Sequence, residues 1–426
     1  MLVCYGQRIR STSYGKPTKA LLTLLKTDPS QVDSLSIQQV VALCGTGKLT
    51  DNSESSTDLR GYLQIAKSEN LFTYVQSCLQ SPFDRSGSVL QDLVNELGRR
   101  LDYSVQNGLY QGKTNAVGFD GLWTSPEGRV IVVEVKTTDA YRINLDTIAG
   151  YREKLLASGT IPKESSVLLV VGREDTGDLE AQVRGSKHAW TFRIISADAL
   201  TKLVVLKENA EVASAGKIHE LLVPFEYTRL DKIIEIAFTV AEDASAAAVE
   251  DEQGPDVEVT VEPSDKVTAG TVRSQQHTPS AIISEVRTEI VRSISNTYVP
   301  LVKKSRALYW SADKSLRAAI TISKEYEGGD YWYAYHPAWD AFLSEAATGF
   351  FVLGCVGRDE AFAIPFGWIH CRLNSFYTTE RDDNRYWHIL LWPAEDGEMV
   401  LRLKDGSSES LDSFKLPLTK VKSPAI

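Results

Sequence analysis

"GFDGLWTSPEGRVIVVEVKTT", residues Gly118 to Thr138, sets two acids and a lysine on strands that are otherwise apolar. Asp120 lies in "GFDGLW", Glu134 and Lys136 lie in "RVIVVEVK", and the intervening "SPEG" has the composition of a turn, so the stretch reads as a β-hairpin. Alternate residues of a strand share a face. Glu134 and Lys136 therefore project together, with Val133 and Val135 packing on the other side, and the hairpin brings Asp120 beside Glu134. An unpaired buried ion loses its hydration, so a polar cluster in such a strand needs a partner or a task.

Two carboxylates brought together in an apolar setting drive one pKa upward unless a cation neutralises them. A hard divalent ion with oxygen ligands, Mg²⁺ or Mn²⁺, resolves that conflict. Asp120 and Glu134 are the candidate metal ligands, with the backbone carbonyl of Val135 between Glu134 and Lys136 as a further one. Lys136 then stands where it can orient or polarise a water nucleophile, and the cluster suits hydrolysis of a phosphodiester. The structural alternative is a surface hairpin in which Glu134 and Lys136 form a plain salt bridge. It would leave the wholly apolar "VIVV" facing water.

Outward from the hairpin, "GSVLQDLVNELGRRL" has the apolar spacing of an amphipathic helix, and "YSVQ" is a short strand candidate. "NLDTIAGYREKLLAS" predicts a helix capped by Asn144 or Asp146, and "SSVLLVVG" a strand buried on both faces. "GDLEAQVRGSKHAW" predicts a helix, "FRIIS" a strand and "ADALTKLVVLKE" a helix. The order is α-β-β-β-α-β-α-β, a mixed sheet with helical crossovers.

An acid, about a dozen residues, and then Glu-x-Lys ending an apolar strand resembles the PD-(D/E)xK nuclease superfamily, carried here by "GFDG" and "VEVK" over roughly Phe83 to Leu206. The resemblance implies an α/β restriction-endonuclease-like core with an αβββαβ mixed sheet. It also implies metal-dependent cleavage of nucleic acid by Asp120, Glu134 and Lys136. Many relatives place a metal-binding glutamate on the first helix, where this chain has Gln91, with Asp92 and Glu96 nearby. A Gln-x-x-x-Tyr motif of exonuclease-like branches is incomplete, since Thr147 stands four residues before Tyr151. Tyr151 and Arg152 are candidates to face the scissile phosphate. Arg142, Gln182 and Arg184 are candidates for DNA phosphate contacts, whereas His188 reads as a packed or capping residue. The expected activity is that of a Mg²⁺-dependent DNA endonuclease acting in restriction or defence against foreign or modified DNA. Cutting both strands with one site per chain calls for a homodimer. The competing readings are an inactive nuclease-fold module that docks nucleic acid or a partner protein, and a ribonuclease.

The chain has 426 residues and a formal net charge of −10, which argues against indiscriminate nucleic-acid binding unless a basic patch is local. Part of the acidity is segregated: Glu242 to Glu262 holds eight acids and no Lys or Arg, while Ser81 to Leu200 is near balance with 14 basic and 16 acidic residues. The five cysteines are far apart with no metal-ligand spacing, so a reducing cytoplasm is expected, and no apolar run is long enough to span a bilayer. Four regions are expected: an N-terminal helical region over 1–80, the nuclease domain over 81–240, an acidic flexible linker over 241–281, and an aromatic-rich α+β domain over 282–426. In the first, "PTKALLTLLKT" and "LSIQQVVALCG" have helical spacing with Ser36 as an N-cap. "GTGK" at Gly45 lacks the rest of a phosphate loop and reads as a helix end. The last region holds six of the eight tryptophans and is expected to form a separate domain with a curved antiparallel sheet, serving recognition or sensing. Alternation in "YWYAYHP" puts Tyr331, Tyr333 and Tyr335 on one face and Trp332 on the other.

Overall fold

The hairpin forms where the turn composition puts it. Strand β1 (Ser104–Asn107) pairs antiparallel with β2 (Gly121–Thr124), which pairs antiparallel with β3 (Val130–Lys136), Gly121 opposite Val133 and Thr124 opposite Val130. In this computed structural model the described residues are 21, 24, 29–111, 117–137, 143–172, 177–210, 217–222, 280–326, 329–381, 384–394 and 397–418. The expected linker and the helix at "PTKALLTLLKT" lie almost wholly outside them, and so does Arg142.

Beyond β3 the sheet continues in parallel through β4 (Ser166–Val171) and β5 (Phe192–Ser196), giving the order β1-β2-β3-β4-β5. Every residue of β4 is buried, as its unbroken apolar run requires of a strand covered on both faces. Among the described residues, helices α1 (Pro29–Asp33), α2 (Ile37–Leu43), α3 (Glu54–Leu63) and α4 (Ser68–Gln80) precede the core. Ser36 and Gln39 form a reciprocal capping box at α2. Helix α5 (Ser86–Arg100) leads into β1, α6 (Leu145–Ala157) crosses from β3 to β4, α7 (Gly177–Arg184) joins β4 to β5, and α8 (Ala197–Asn209) follows. Helix α7 ends at Arg184, short of the expected "KHAW".

Alternation along β3 divides the interior. Ile131 and Val133 join α3, α4, α5 and α8 in one core, while Val130 and Val132 face α6 and α7 in another. Leu122 belongs to the second core and Trp123 to the first. Positions 120, 134 and 136 therefore fall on the α6 side of the sheet. The "GTGK" segment is a helix end: Gly45 has φ +47°, and the N–H groups of Gly45 and Thr46 donate to Asp58 Oδ2 at 3.2 Å and Ser55 Oγ at 3.1 Å.

The C-terminal half departs from a single antiparallel sheet. It opens with α9 (Ser280–Thr297), a helix the sequence reading did not anticipate, which buries Val286, Ile290 and Ile294 at four-residue spacing. Strands β6 (Leu301–Lys303), β7 (Leu308–Ser311) and β8 (Leu316–Ser323) form a meander. The chain then passes through β9 (Tyr331–Tyr335) and α10 (Pro337–Ser344) before β10 (Thr348–Cys355), a crossover long enough for β10 to lie parallel to β8. With β11 (Glu360–Pro365) and β16 (Lys415–Pro417) these make a six-stranded mixed sheet. "FGWIH" turns into helix α11 (Phe366–His370) after Pro365 instead of extending the strand. The second, antiparallel sheet holds β9, β12 (Tyr377–Arg381), β13 (Asn384–Pro393), β14 (Met399–Arg402) and β15 (Ser408–Ser410). Tyr331, Tyr333 and Tyr335 are buried in the core shared by the two sheets, and Trp332 takes the opposite face, as the alternation requires.

The two halves are docked, where the sequence suggested separation. The Asp102 carboxylate accepts hydrogen bonds from Lys207 Nζ of α8 and Lys304 Nζ of the C-terminal half, both at 3.0 Å. Lys303 Nζ donates to Asn209 Oδ1 at 2.8 Å, and the Arg306 N–H to the Ala210 carbonyl at 3.2 Å. No helix among the described residues is long and apolar enough to cross a membrane.

Helix α5 approaches the sheet closely because it lacks a side chain at Gly98. A Cβ there would stand 2.6 Å from Trp123 Cε2, and the indole is wholly buried. Gly98→Ala should cost about 1–3 kcal/mol in urea denaturation, with the denaturant slope unchanged; a variant as stable as the parent would contradict this packing.

Candidate active site

Asp120 is held by its backbone before its side chain does anything. Its N–H donates to the Val133 carbonyl at 3.0 Å, placing it at the open end of β2. Its carbonyl accepts from the Gly108 N–H at 2.9 Å, from Asn95 Nδ2 at 2.9 Å and from Gln91 Nε2 at 3.1 Å. Gln91 and Asn95 lie one helical turn apart on α5 and so reach the same carbonyl. Asn95 Oδ1 accepts from Trp123 Nε1 at 2.8 Å, which fixes the amide's orientation. Gly121 makes that approach feasible, since a Cβ there would fall 2.1 Å from Asn95 Oδ1.

The Asp120 carboxylate takes the place of the next backbone acceptor in the ladder: Oδ2 accepts from the Val135 N–H at 2.7 Å. In a strand the N–H and carbonyl of one residue point the same way, so the Val135 carbonyl also faces the edge that β2 leaves open. Lys136 Nζ stands 2.6 Å from Glu134 Oε1. Burial, and then the Glu134 charge, push the Asp120 carboxyl up to about 7, with the Val135 N–H and Lys136 acting in the opposite direction. Burial works against the Lys136 ammonium, but its hydrogen bond to Glu134 and the charges of Glu134 and Asp120 outweigh it and hold its pKa above the ordinary value. The three residues named from the sequence thus converge on one face at the end of the hairpin.

The chemistry of this donor set suits a hard cation: two carboxylates that repel each other, and a backbone carbonyl on the same edge. It does not make a full protein cage. Among the described residues no three or more His, Cys, Asp or Glu side chains are placed together to hold a metal ion. The acids of α5 are committed elsewhere. Asp92 accepts from Arg60 Nε at 2.9 Å and from the Tyr110 hydroxyl, and Glu96 pairs with Arg100 at 3.0 Å and Arg99 at 3.2 Å. Gln91, a candidate ligand, has its amide nitrogen on the Asp120 carbonyl.

The candidates for phosphate contact separate. Tyr151 is at the site: its hydroxyl lies where it would be 3.3 Å from a Cβ on Gly118, and it acts electrostatically on Lys136. Gln182 is engaged in structure, accepting from the Ile143 N–H at 3.2 Å and donating to the Ile143 carbonyl at 2.6 Å, so its amide clamps backbone. Arg152 is likewise turned to protein, donating to the carbonyls of Ser165 at 2.9 Å and Lys163 at 2.6 Å. Arg184 is exposed at the end of α7. His188 meets Asp146 at 2.8 Å and packs on Phe192, the packed role its type suggests.

Asn95 escaped the sequence reading. Its signal was there, a polar residue four after Gln91 on an otherwise buried helix face, but only the fold shows what it holds.

The raised Asp120 pKa has a sign. Between about pH 4 and about pH 7 the folded chain keeps a proton that the unfolded chain releases, so without metal its stability falls as pH rises through that window. In urea melts with chelator at about pH 5 and about pH 8, Asp120→Asn should lose less stability than the parent, by on the order of 2 kcal/mol. Equal losses would place the carboxyl in an ordinary environment.

No protein-family model matches the chain, and no curated protein matches it.

Proposed function

We propose that this protein is a Mg²⁺-dependent nuclease that hydrolyses phosphodiester bonds in DNA. The observation that carries the reading is the convergence of Asp120, Glu134 and Lys136, with Asp120 Oδ2 2.7 Å from the Val135 nitrogen and Lys136 Nζ 2.6 Å from Glu134. The strand order, antiparallel from β1 to β3 and parallel from β3 to β5 with α5 before and α6 across, is consistent with the restriction-endonuclease-like arrangement that the motif resembles.

In this reading Asp120, Glu134 and the Val135 carbonyl would hold Mg²⁺, which supplies positive charge to the scissile phosphate. Lys136 neutralises Glu134, and with substrate present it holds the attacking water by a charged hydrogen bond. Gln91 and Asn95 keep Asp120 at the open end of β2, so little reorganisation is needed when the phosphate arrives. Tyr151 lies on the same side and contacts the substrate backbone. With one such site per chain, a double-strand break would need two copies. A role in defence against foreign DNA, and the choice of DNA over RNA, rest on the sequence resemblance alone.

The second reading is an inactive module that keeps the fold for docking. It is favoured by the absence of a third acidic ligand among the described residues.

Plasmid, linear and modified DNA incubated with and without Mg²⁺ decide between the two. Lys136→Ala should reduce Mg²⁺-dependent cleavage by at least about 100-fold with DNA binding and melting temperature nearly unchanged. Undiminished cutting by that variant would remove the mechanism. Calorimetry should register Mg²⁺ binding to the parent chain and none to Asp120→Asn, and a parent that binds no Mg²⁺ would favour the docking module.

A further inference from the structure

Gly108 follows the last paired residue of β1, and its N–H donates to the Asp120 carbonyl at 2.9 Å. The approach is tight: a Cβ on Gly108 would fall 1.8 Å from the Phe119 carbonyl oxygen, so this position has no room for a side chain. Two residues on, the chain is anchored to the N-terminal helices. The Tyr110 N–H donates to Asp51 Oδ1, between α2 and α3, at 2.7 Å. The Tyr110 hydroxyl donates to Asp92 Oδ2 of α5, and its ring lies beneath the Arg60 guanidinium of α3, whose central carbon is 4.9 Å from the ring centre. Arg60 Nε donates to the other Asp92 oxygen at 2.9 Å.

Each member of this set needs the others. The Asp92 side chain is wholly buried, and a buried carboxylate is stable only when its oxygens are occupied. Arg60 serves one oxygen and Tyr110 the other. Loss of the hydroxyl would strip a buried acid oxygen of its partner, so the tyrosine is held firmly in this place. Asp92 turns away from Asp120, but Gln91 and Asn95 of the same helix donate to the carbonyl that also receives Gly108. That carbonyl is therefore gripped from two directions: directly by α5, and by the segment from Gly108 to Tyr110, which α3 and α5 hold in turn.

We propose that Tyr110, Asp92 and Arg60 are positioning residues for Asp120, so that the N-terminal helices and the candidate active site work as one unit. The proposal rests on the nuclease reading for the metal, and on hydrogen bonds alone for the coupling. Groups that orient a metal ligand govern its affinity without touching the ion. When Tyr110 loosens, Gly108 loosens with it. The Asp120 carbonyl then keeps only the two amides, and its carboxylate is held less well against the Val135 N–H.

Residue-resolved amide hydrogen exchange of the full chain, with chelator present, tests the coupling without metal or activity. Tyr110→Phe keeps the ring under Arg60 and removes only the hydroxyl. It should speed exchange of the Gly108 and Val135 N–H groups about fivefold or more relative to those of β4. Tyr62→Phe is the control, since its hydroxyl lies 2.9 Å from that of Tyr74 in the same core. It should lower stability by a similar amount and leave that ratio at the parent value. In calorimetry Tyr110→Phe should weaken Mg²⁺ binding about tenfold. Its cleavage rate should fall at limiting Mg²⁺ and recover at saturating Mg²⁺, a split that loss of stability alone does not produce. Asp92→Asn should behave in the same way, and where it fails to fold Tyr110→Phe decides. The proposal is overturned by an unchanged exchange ratio in Tyr110→Phe, by the same acceleration in Tyr62→Phe, or by Mg²⁺ binding as tight as that of the parent. A parent chain that binds no Mg²⁺ removes the nuclease reading instead, and the exchange rates still decide the coupling.

Discussion

An anion beside another anion in a half-buried site stays there only if the backbone beneath it cannot move. Asp120 meets that condition through its carbonyl, which receives Gly108, Asn95 and Gln91, and through its own N–H on Val133. These groups leave the side chain little choice but the Val135 N–H, next to Glu134. The strain of bringing two acids together is thus borne by ordinary peptide and amide hydrogen bonds, each contributing about 0.5–1.5 kcal/mol and together comparable with the cost of the raised carboxyl pKa. Without α5 at this distance the acid would turn to water and the site would dissolve into a surface hairpin.

The elements of the first half were legible because each carries its own period. β4 is an unbroken apolar run, α5 an apolar stripe, and the hairpin an alternation interrupted by a turn. The trio was legible for the same reason, since the strand period alone puts Glu134 and Lys136 on one face. What the sequence could not tell was the division of labour on α5. Gln91, Asp92, Asn95 and Glu96 are all buried polar residues there, and which of them serve the site depends on the angle at which the helix meets the sheet. Gln91 and Asn95 face Asp120, while Asp92 and Glu96 are consumed by Arg60, Arg99 and Arg100. Gln182 misled for a related reason: an amide on a helix beside a proposed cleft looks available, but the Ile143 backbone needed a partner at that point and took it.

In the C-terminal half the patterns gave strands but not their partners. β8 and β10 read as members of an antiparallel sheet because they are close in sequence, and the route through β9 and α10 reverses that expectation. Pairing is a long-range choice, settled by which crossover fits, and no local period records it. Helix α9 was hidden by the charged and hydroxyl residues that surround its three buried aliphatics.

The junction between the halves carries an unusual concentration of ions. Asp102, two residues past the end of α5, lies in the left-handed region at φ +69°, a conformation that aspartate tolerates better than most residues, and its carboxylate accepts from a lysine of each half. Burial alone would raise the Asp102 pKa, but Lys207 and Lys304 outweigh it and keep the group ionised. A buried pair of this kind adds little stability over an apolar contact, yet it is costly to break from one side. The halves are therefore held in one register, and the helix that leads into Asp102 is the one whose Gln91 and Asn95 hold Asp120. A shift of the C-terminal half that moved Lys304 would be felt first at the end of α5, by a carboxylate that could not remain buried with one lysine. The same rigid helix would carry the displacement along its length to the amides under the acid.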